Sequence, residues 1–259
     1  MSSMLLNSEA WVDYSDSDVR IFEQCDKMVL TKILECDGKT NNALKYLDLG
    51  VIPIHLEIMK RILGFLRYIL NQDKDSMIFN ILKATKENPV KKDFVLTCQK
   101  YLETLKVNLS FKEIEKLSKN QFKKILKEKT REAGFDYLNK QKNKQDKIKN
   151  IVYSTLKMQD YLADGDRNKD VTKLIFKARG KTLDIKLHKK WKYDDTLCVG
   201  CGKNDESGSE VLQCIGFGEM TEKVTYSAFF SSSVDEQIKV GKEMLKRLKK
   251  RLKMREEVT

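Results

Sequence analysis

The sequence predicts a mainly α-helical protein: a helical bundle followed by a small helical, cysteine-containing domain with little β structure. Three observations carry that expectation. The chain holds only two prolines and twelve glycines in 259 residues. Most segments repeat apolar residues at the 3.6-residue spacing of a helix. Cap residues also stand where those segments begin and end.

Ser15-Asp-Ser-Asp18 supplies an N-cap and an acidic first turn for a helix to about Glu35. Val19, Phe22, Met28, Val29 and Ile33 are expected on its buried side. A short helix over 42–49 stops at Gly50, and Pro53 then stands at the first position of a long helix to about Asn71. That helix carries Ile54, Ile58, Met59, Ile62, Leu63, Leu66, Ile69 and Leu70, more than one apolar stripe, and is expected at the centre of the first domain. Helices follow over 75–87 and 91–105. Ser110 and Glu113 have the capping-box spacing that starts another. A basic helix over 118–142 presents Phe122, Ile125, Leu126, Ala133, Phe135, Tyr137 and Leu138 on one face. The run Asn139–Asn150 is almost wholly polar, so 143–153 reads as a basic linker between domains at 1–142 and 154–259. The second domain is expected to hold helices near 154–163 and 170–179 and extended pieces at Thr182–Leu187 and Val224–Phe230. A basic amphipathic helix over 234–257 closes it.

Fifty Lys and Arg against thirty-eight Asp and Glu leave a net charge of +12, which favours a polyanionic partner. The excess is uneven. Residues 1–26 hold six acids and only Arg20, whereas 239–255 hold nine cations against Glu243 alone. No apolar run approaches the roughly 18 residues of a membrane span, and Leu5–Leu6 lacks the length and basic flank of a signal peptide. An intracellular protein, nuclear or cytoplasmic and not secreted, with no membrane partner is therefore expected. Its six cysteines then read as thiols or metal ligands rather than disulfides. Cys25, Cys36 and Cys98 lie in apolar helical surroundings and are expected in the core. His55 reads as structural.

Several phrases stand in order along the chain: LLNSEAW (Leu5–Trp11), KILEC (Lys32–Cys36), KYLDLGVIPIHLEIMKRILGFLRYIL (Lys45–Leu70), ENPVKKDFVLTCQKYLETL (Glu87–Leu105) and FKARGKTLDIK (Phe176–Lys186). Together they resemble one stretch of the LINE-type, non-LTR retrotransposon polyprotein immediately after the reverse-transcriptase palm. The resemblance implies a thumb and connector followed by a cysteine-rich segment that contacts nucleic acid. Polymerase chemistry needs paired aspartates in a palm hairpin to hold two metals. Asp194-Asp195 lack the flanking hydrophobic strands and are not expected to be catalytic. The resemblance thus implies a C-terminal fragment or truncated copy that cannot polymerise, and no catalytic residue is assigned.

The cysteine loop CVGCGKNDESGSEVLQC spans Cys198–Cys214. The family pattern there resembles C-x2-C-x8-H-x3-C. Cys198, Cys201 and Cys214 are in register, while Glu210 stands at the histidine position. A carboxylate ligates zinc at about the same distance as imidazole, so Glu210 is one candidate fourth ligand. His188, ten residues before Cys198, is another, and a site that has lost its metal is the third reading. A thioredoxin-like use of CxxC needs a βαβ context, which the polar run 202–209 does not supply.

Between Arg167 and Lys192 ten basic residues face two acidic ones, with Phe176, Trp191 and Tyr193 interleaved. Aromatic faces stack on bases while cations meet phosphates. Arg179, Lys181, Lys189, Lys190 and Trp191 are therefore candidate RNA or DNA contacts, as are Lys246, Arg247 and Lys250 of the terminal helix. The stretch Lys119–Lys149 is a third basic candidate. No GxxxxGK[ST], GxSxG or HExxH motif occurs. Non-sequence-specific nucleic-acid binding is the function expected. The competing expectation is a helical interaction module that binds a protein partner through its terminal helix.

Overall fold

A computed structural model describes residues 16–87, 93–163, 169–220, 223–231 and 233–256. The phrase Leu5–Trp11, the N-cap Ser15, the helix start at Lys91 and the helix end at Glu257 lie outside the described residues. Among those described, the protein is mainly helical, with eleven α-helices and no β-strand. None of these helices is long and apolar enough to cross a membrane. The chain divides into two compact units, residues 1–29 with 51–140 and residues 30–50 with 141–259. Residues 30–50 thus group with the C-terminal part, although the sequence places them among the N-terminal helices.

In the first unit α3 (Ile54–Leu70) packs against α4 (Met77–Glu87), α5 (Phe94–Thr104) and α6 (Phe111–Lys116). Ile58, Ile62, Leu63 and Leu66 of α3 meet Leu82, Val95, Cys98, Leu102 and Ile114, joined by Phe122 and Leu126 of α7 (Lys119–Asn143). The expected capping box at Ser110 forms, and Asp93, which the sequence reading did not single out, caps α5. Asp93 accepts from Leu96 N at 2.6 Å, and Ser110 and Glu113 complete a reciprocal capping box. Pro53 is the N-cap rather than the first helical residue, because its ψ of 139° is extended.

Helix α1 (Asp16–Ile33) departs from expectation. Met28 and Ile33 are 62% and 61% exposed, and the buried positions are Asp26 and Leu30, with Leu34 just past the helix end. Two stripes one residue apart compete on this helix, and the one containing an aspartate faces inward. Cys98 is buried as expected, whereas Cys25 and Cys36 are only half-buried.

In the second unit α2 (Asn42–Leu49) is buried from Ala43 to Asp48. It ends at Gly50, whose φ of +63° is left-handed. A Cβ at Gly50 would also overlap the backbone of Lys157 and Met158, so two constraints select glycine there. Helix α11 (Val234–Glu256) packs on α8 (Asp160–Ala163), α9 (Lys169–Arg179), α10 (Gly208–Gln213) and the 3-10 turn Tyr226–Phe230. Both expected extended pieces are turns. Leu183 and Ile185 are buried alternately, as in a strand, but the Ile185 N–H bonds Leu183 O two residues back at 2.9 Å. Residues 143–153 are fastened as well: Ile148 and Ile151 are buried, and Lys142 Nζ donates to Lys149 O and Ile151 O.

Candidate metal centre and nucleic-acid interface

The four residues Cys198, Cys201, Glu210 and Cys214 come together with ligand atoms all within 4.8 Å of one another, and could hold a metal ion. Local structure explains the convergence. Cys198 N donates to Asn204 O and Gly202 N to Cys198 O, both at 2.7 Å, closing a tight turn that puts Cys198 and Cys201 side by side. Ser207 then caps α10 by accepting from Glu210 N. Glu210 falls in the first turn of α10, where a carboxylate is favoured, and Cys214 is the C-cap. Gly200 is needed for space: a Cβ there would press on the Phe217 ring at 3.0 Å and Cys214 Sγ at 3.1 Å.

Backbone N–H groups surround the sulfurs. Those of Cys201 and Gly200 bond the Cys198 sulfur, those of Asn204 and Lys203 bond that of Cys201, and that of Gly216 bonds that of Cys214. Such bonds favour the thiolate, the form that ligates metal. Burial pushes the Cys198 thiol up to about 12 and raises Cys214, while backbone N–H groups lower Cys201. The Cys201 thiol meanwhile donates to Glu210 Oε1 at 3.3 Å, a proton that a metal ion would displace. The structure brings Glu210, and not His188, to the three sulfurs. His188 Nδ1 is buried without a hydrogen bond, and burial, with Lys181 and Lys147 nearby, lowers its pKa to about 4.

The loop is clamped from behind by α11. Arg247 pairs with Glu243 and donates to the carbonyls of Val211, Cys214 and Gly218. Lys250 Nζ donates to Phe217 O at 2.9 Å. Arg251 pairs with the buried Glu206, which also accepts from Lys186 N and Val199 N. Two expected nucleic-acid contacts, Arg247 and Lys250, therefore hold the cysteine loop in place. Glu206 was missed because in GKNDES it looks like any acid in a polar loop.

Arg179 is likewise internal. Its guanidinium meets both carboxylate oxygens of Asp48 at 3.0 and 3.1 Å and donates to Phe229 O and Tyr153 OH. Tyr153 and Tyr161 hydroxyls donate to the same carboxylate at 2.5 and 2.6 Å. Burial would lower the Arg179 pKa, but Asp48 and the two tyrosines hold it above its ordinary value. This network joins α2 to α9 in the second unit's core, out of reach of any phosphate.

Of the remaining candidates, Lys189 lies 3.8 Å from Asp184 Oδ1, while Lys181, Lys190, Trp191 and Lys246 are exposed. In the Lys119–Lys149 stretch, Lys123, Lys124 and Lys127 are exposed, while Lys129 pairs with Glu132 and Lys149 with Asp146. Asp194 is exposed, and Asp195 pairs with Lys186 at 2.6 Å. Neither belongs to a metal-holding cluster among the described residues. Lys246 has companions that the sequence reading did not name. Lys242, Lys249 and Lys253 are also exposed, and steps of four, three and four residues put all of them on one face of α11. Their signal was the helical phase of the cations rather than their number. In comparisons with known proteins, no family model, curated protein or solved structure matches the chain.

Proposed function

We propose that the C-terminal unit is a zinc-stapled module that binds RNA or DNA without sequence preference and carries no polymerase active site. The observation that carries this reading is the lysine row of α11. Lys242, Lys246, Lys249 and Lys253 stand in water with no carboxylate partner among the described residues. Like charges three and four residues apart cost a helix roughly 0.2–0.5 kcal/mol per pair, and no contact within the described structure offsets that cost. The row spans about 16 Å at 1.5 Å per residue, a length suited to successive phosphates of a strand.

Zinc suits the donor set. Tetrahedral ligation at about 2.3 Å from sulfur separates neighbouring sulfurs by about 3.8 Å, compatible with ligand atoms that all lie within 4.8 Å. Cys198, Cys201, Cys214 and Glu210 would hold the ion, whose part is structural: it fixes the loop against which Arg247 and Arg251 pack. The order of phrases resembling the post-palm region of LINE-type reverse transcriptases supports the same reading.

Filter-binding titration of the full chain against unrelated RNA and DNA sequences tests it. Micromolar or tighter binding is expected at low salt. Four phosphate contacts give log–log salt slopes of about −3.6 on duplex and about −2.8 on single strands. No binding at low salt removes the reading and leaves the protein-partner alternative. Metal analysis should find one zinc per chain, lost in Cys201→Ser.

A further inference from the structure

Trp191 is 71% exposed on the one-turn 3-10 helix Lys190–Lys192. An indole left in water forgoes the burial that normally makes tryptophan worth having, so its placement needs a reason. The turn that carries it is firmly held. Lys189 N donates to Ile185 O and Lys186 O, and Lys192 N to Lys189 O at 2.8 Å. Two residues on, Tyr193 OH donates to Asp184 and accepts from Arg255 of α11 at 3.0 Å, and the Arg255 guanidinium lies 4.9 Å from the Tyr193 ring centre. The indole therefore projects from a fixed support rather than a loose loop.

The ring has a cation against it, Lys39 Nζ at 4.6 Å from its centre. Lys190 beside it is exposed with no ion pair among the described residues. The local acids are largely engaged: Asp184 takes Lys189 and Lys192, and Asp195 takes Lys186, leaving Asp194 exposed. With Lys186, Lys189 and Lys192 already near acids, attraction to polyanions in general does not single out this site; the ring does. An exposed indole flanked by ammonium groups stacks on an unpaired base while the cations meet its phosphates. Bases within a duplex offer it no free face.

We propose that Trp191, with Lys39 and Lys190, is a base-stacking platform that gives this unit a preference for single-stranded nucleic acid. The proposal rests on the nucleic-acid reading above and assigns the strandedness of its ligand.

The test is fluorescence anisotropy with a labelled oligo-dT and a duplex of equal length, on the wild-type chain, Trp191→Ala and Trp191→Phe. Trp191→Ala should weaken single-strand binding by roughly 10- to 100-fold, leave duplex binding within about twofold, and be largely rescued by phenylalanine. The chain has two tryptophans, so in a Trp11→Phe background oligo-dT should quench the remaining indole. Unchanged single-strand affinity in Trp191→Ala, or equal loss on both ligands, overturns the platform while phosphate binding stands. Displacement of oligo-dT by polyglutamate of equal charge also overturns it, because the surface then reads charge alone. Failure of the wild-type chain to bind either nucleic acid at low salt overturns both proposals.

Discussion

On the inner face of α11, Arg247 and Arg251 are buried and paired with Glu243 and Glu206, and Arg247 also donates to the carbonyls behind the cysteine loop. On its outer face Lys242, Lys246, Lys249 and Lys253 are exposed. Both faces carry cations in the sequence, yet one is internal scaffolding and the other is available to a ligand. Guanidinium suits the first task, since its planar fork can satisfy a carboxylate and several carbonyls at once. Ammonium groups on long stems suit the second. Net charge alone hides this division, and Arg179 repeats the lesson on α9.

Disrupting the inner face should have the largest effect on folding. Arg251→Ala leaves Glu206, and Arg179→Ala leaves Asp48, as an uncompensated buried charge, and each should cost about 3–5 kcal/mol in chemical denaturation. A much smaller loss would mean these arginines are not structural. Metal removal comes next. With free zinc at 100 times its Kd, binding stabilises by about 2.7 kcal/mol, so chelation should lower Tm in the wild-type chain and leave Cys201→Ser unmoved.

His188 gives a pH-dependent effect of similar size. Its folded pKa is depressed from 6.5 to about 4, so the unfolded chain takes the proton first as pH falls. Its contribution is full above about pH 6.5 and lost on the way down to about 4, amounting to roughly 3 kcal/mol. His188→Gln should flatten the stability profile over that window. The outer face should matter least to folding. Replacing its four lysines with glutamine relieves three like-charge pairs and should raise stability by roughly 0.6–1.5 kcal/mol.

The helices were legible because their apolar spacing and caps agree, as at Ser110 and Gly50. The buried face of α1 was not, since two overlapping stripes left the choice to tertiary packing. The expected strands failed for a related reason: alternating burial of Leu183 and Ile185 arises in a tight turn as readily as in a pleat. At the candidate site, the cysteine spacing was readable from the sequence, while Glu210 was one of three open readings, raised by the family resemblance rather than by spacing. Which cations stay outside was not, because the partners of Arg179 and Arg251 lie 131 and 45 residues away. Only the helical phase of Lys242, Lys246, Lys249 and Lys253 was open to reading, and a count of charges passes over it.

The salt dependence of binding tests the division of α11 most directly. Affinity for a single-stranded oligonucleotide is measured from low to moderate salt for the wild-type chain and for the variant with Lys242, Lys246, Lys249 and Lys253 all changed to Gln. The variant should remain folded, bind more weakly, and show a log–log slope shallower by about 2.8. An unchanged slope with unchanged affinity would mean that the outer lysines touch no phosphate, and the account of this helix would be wrong.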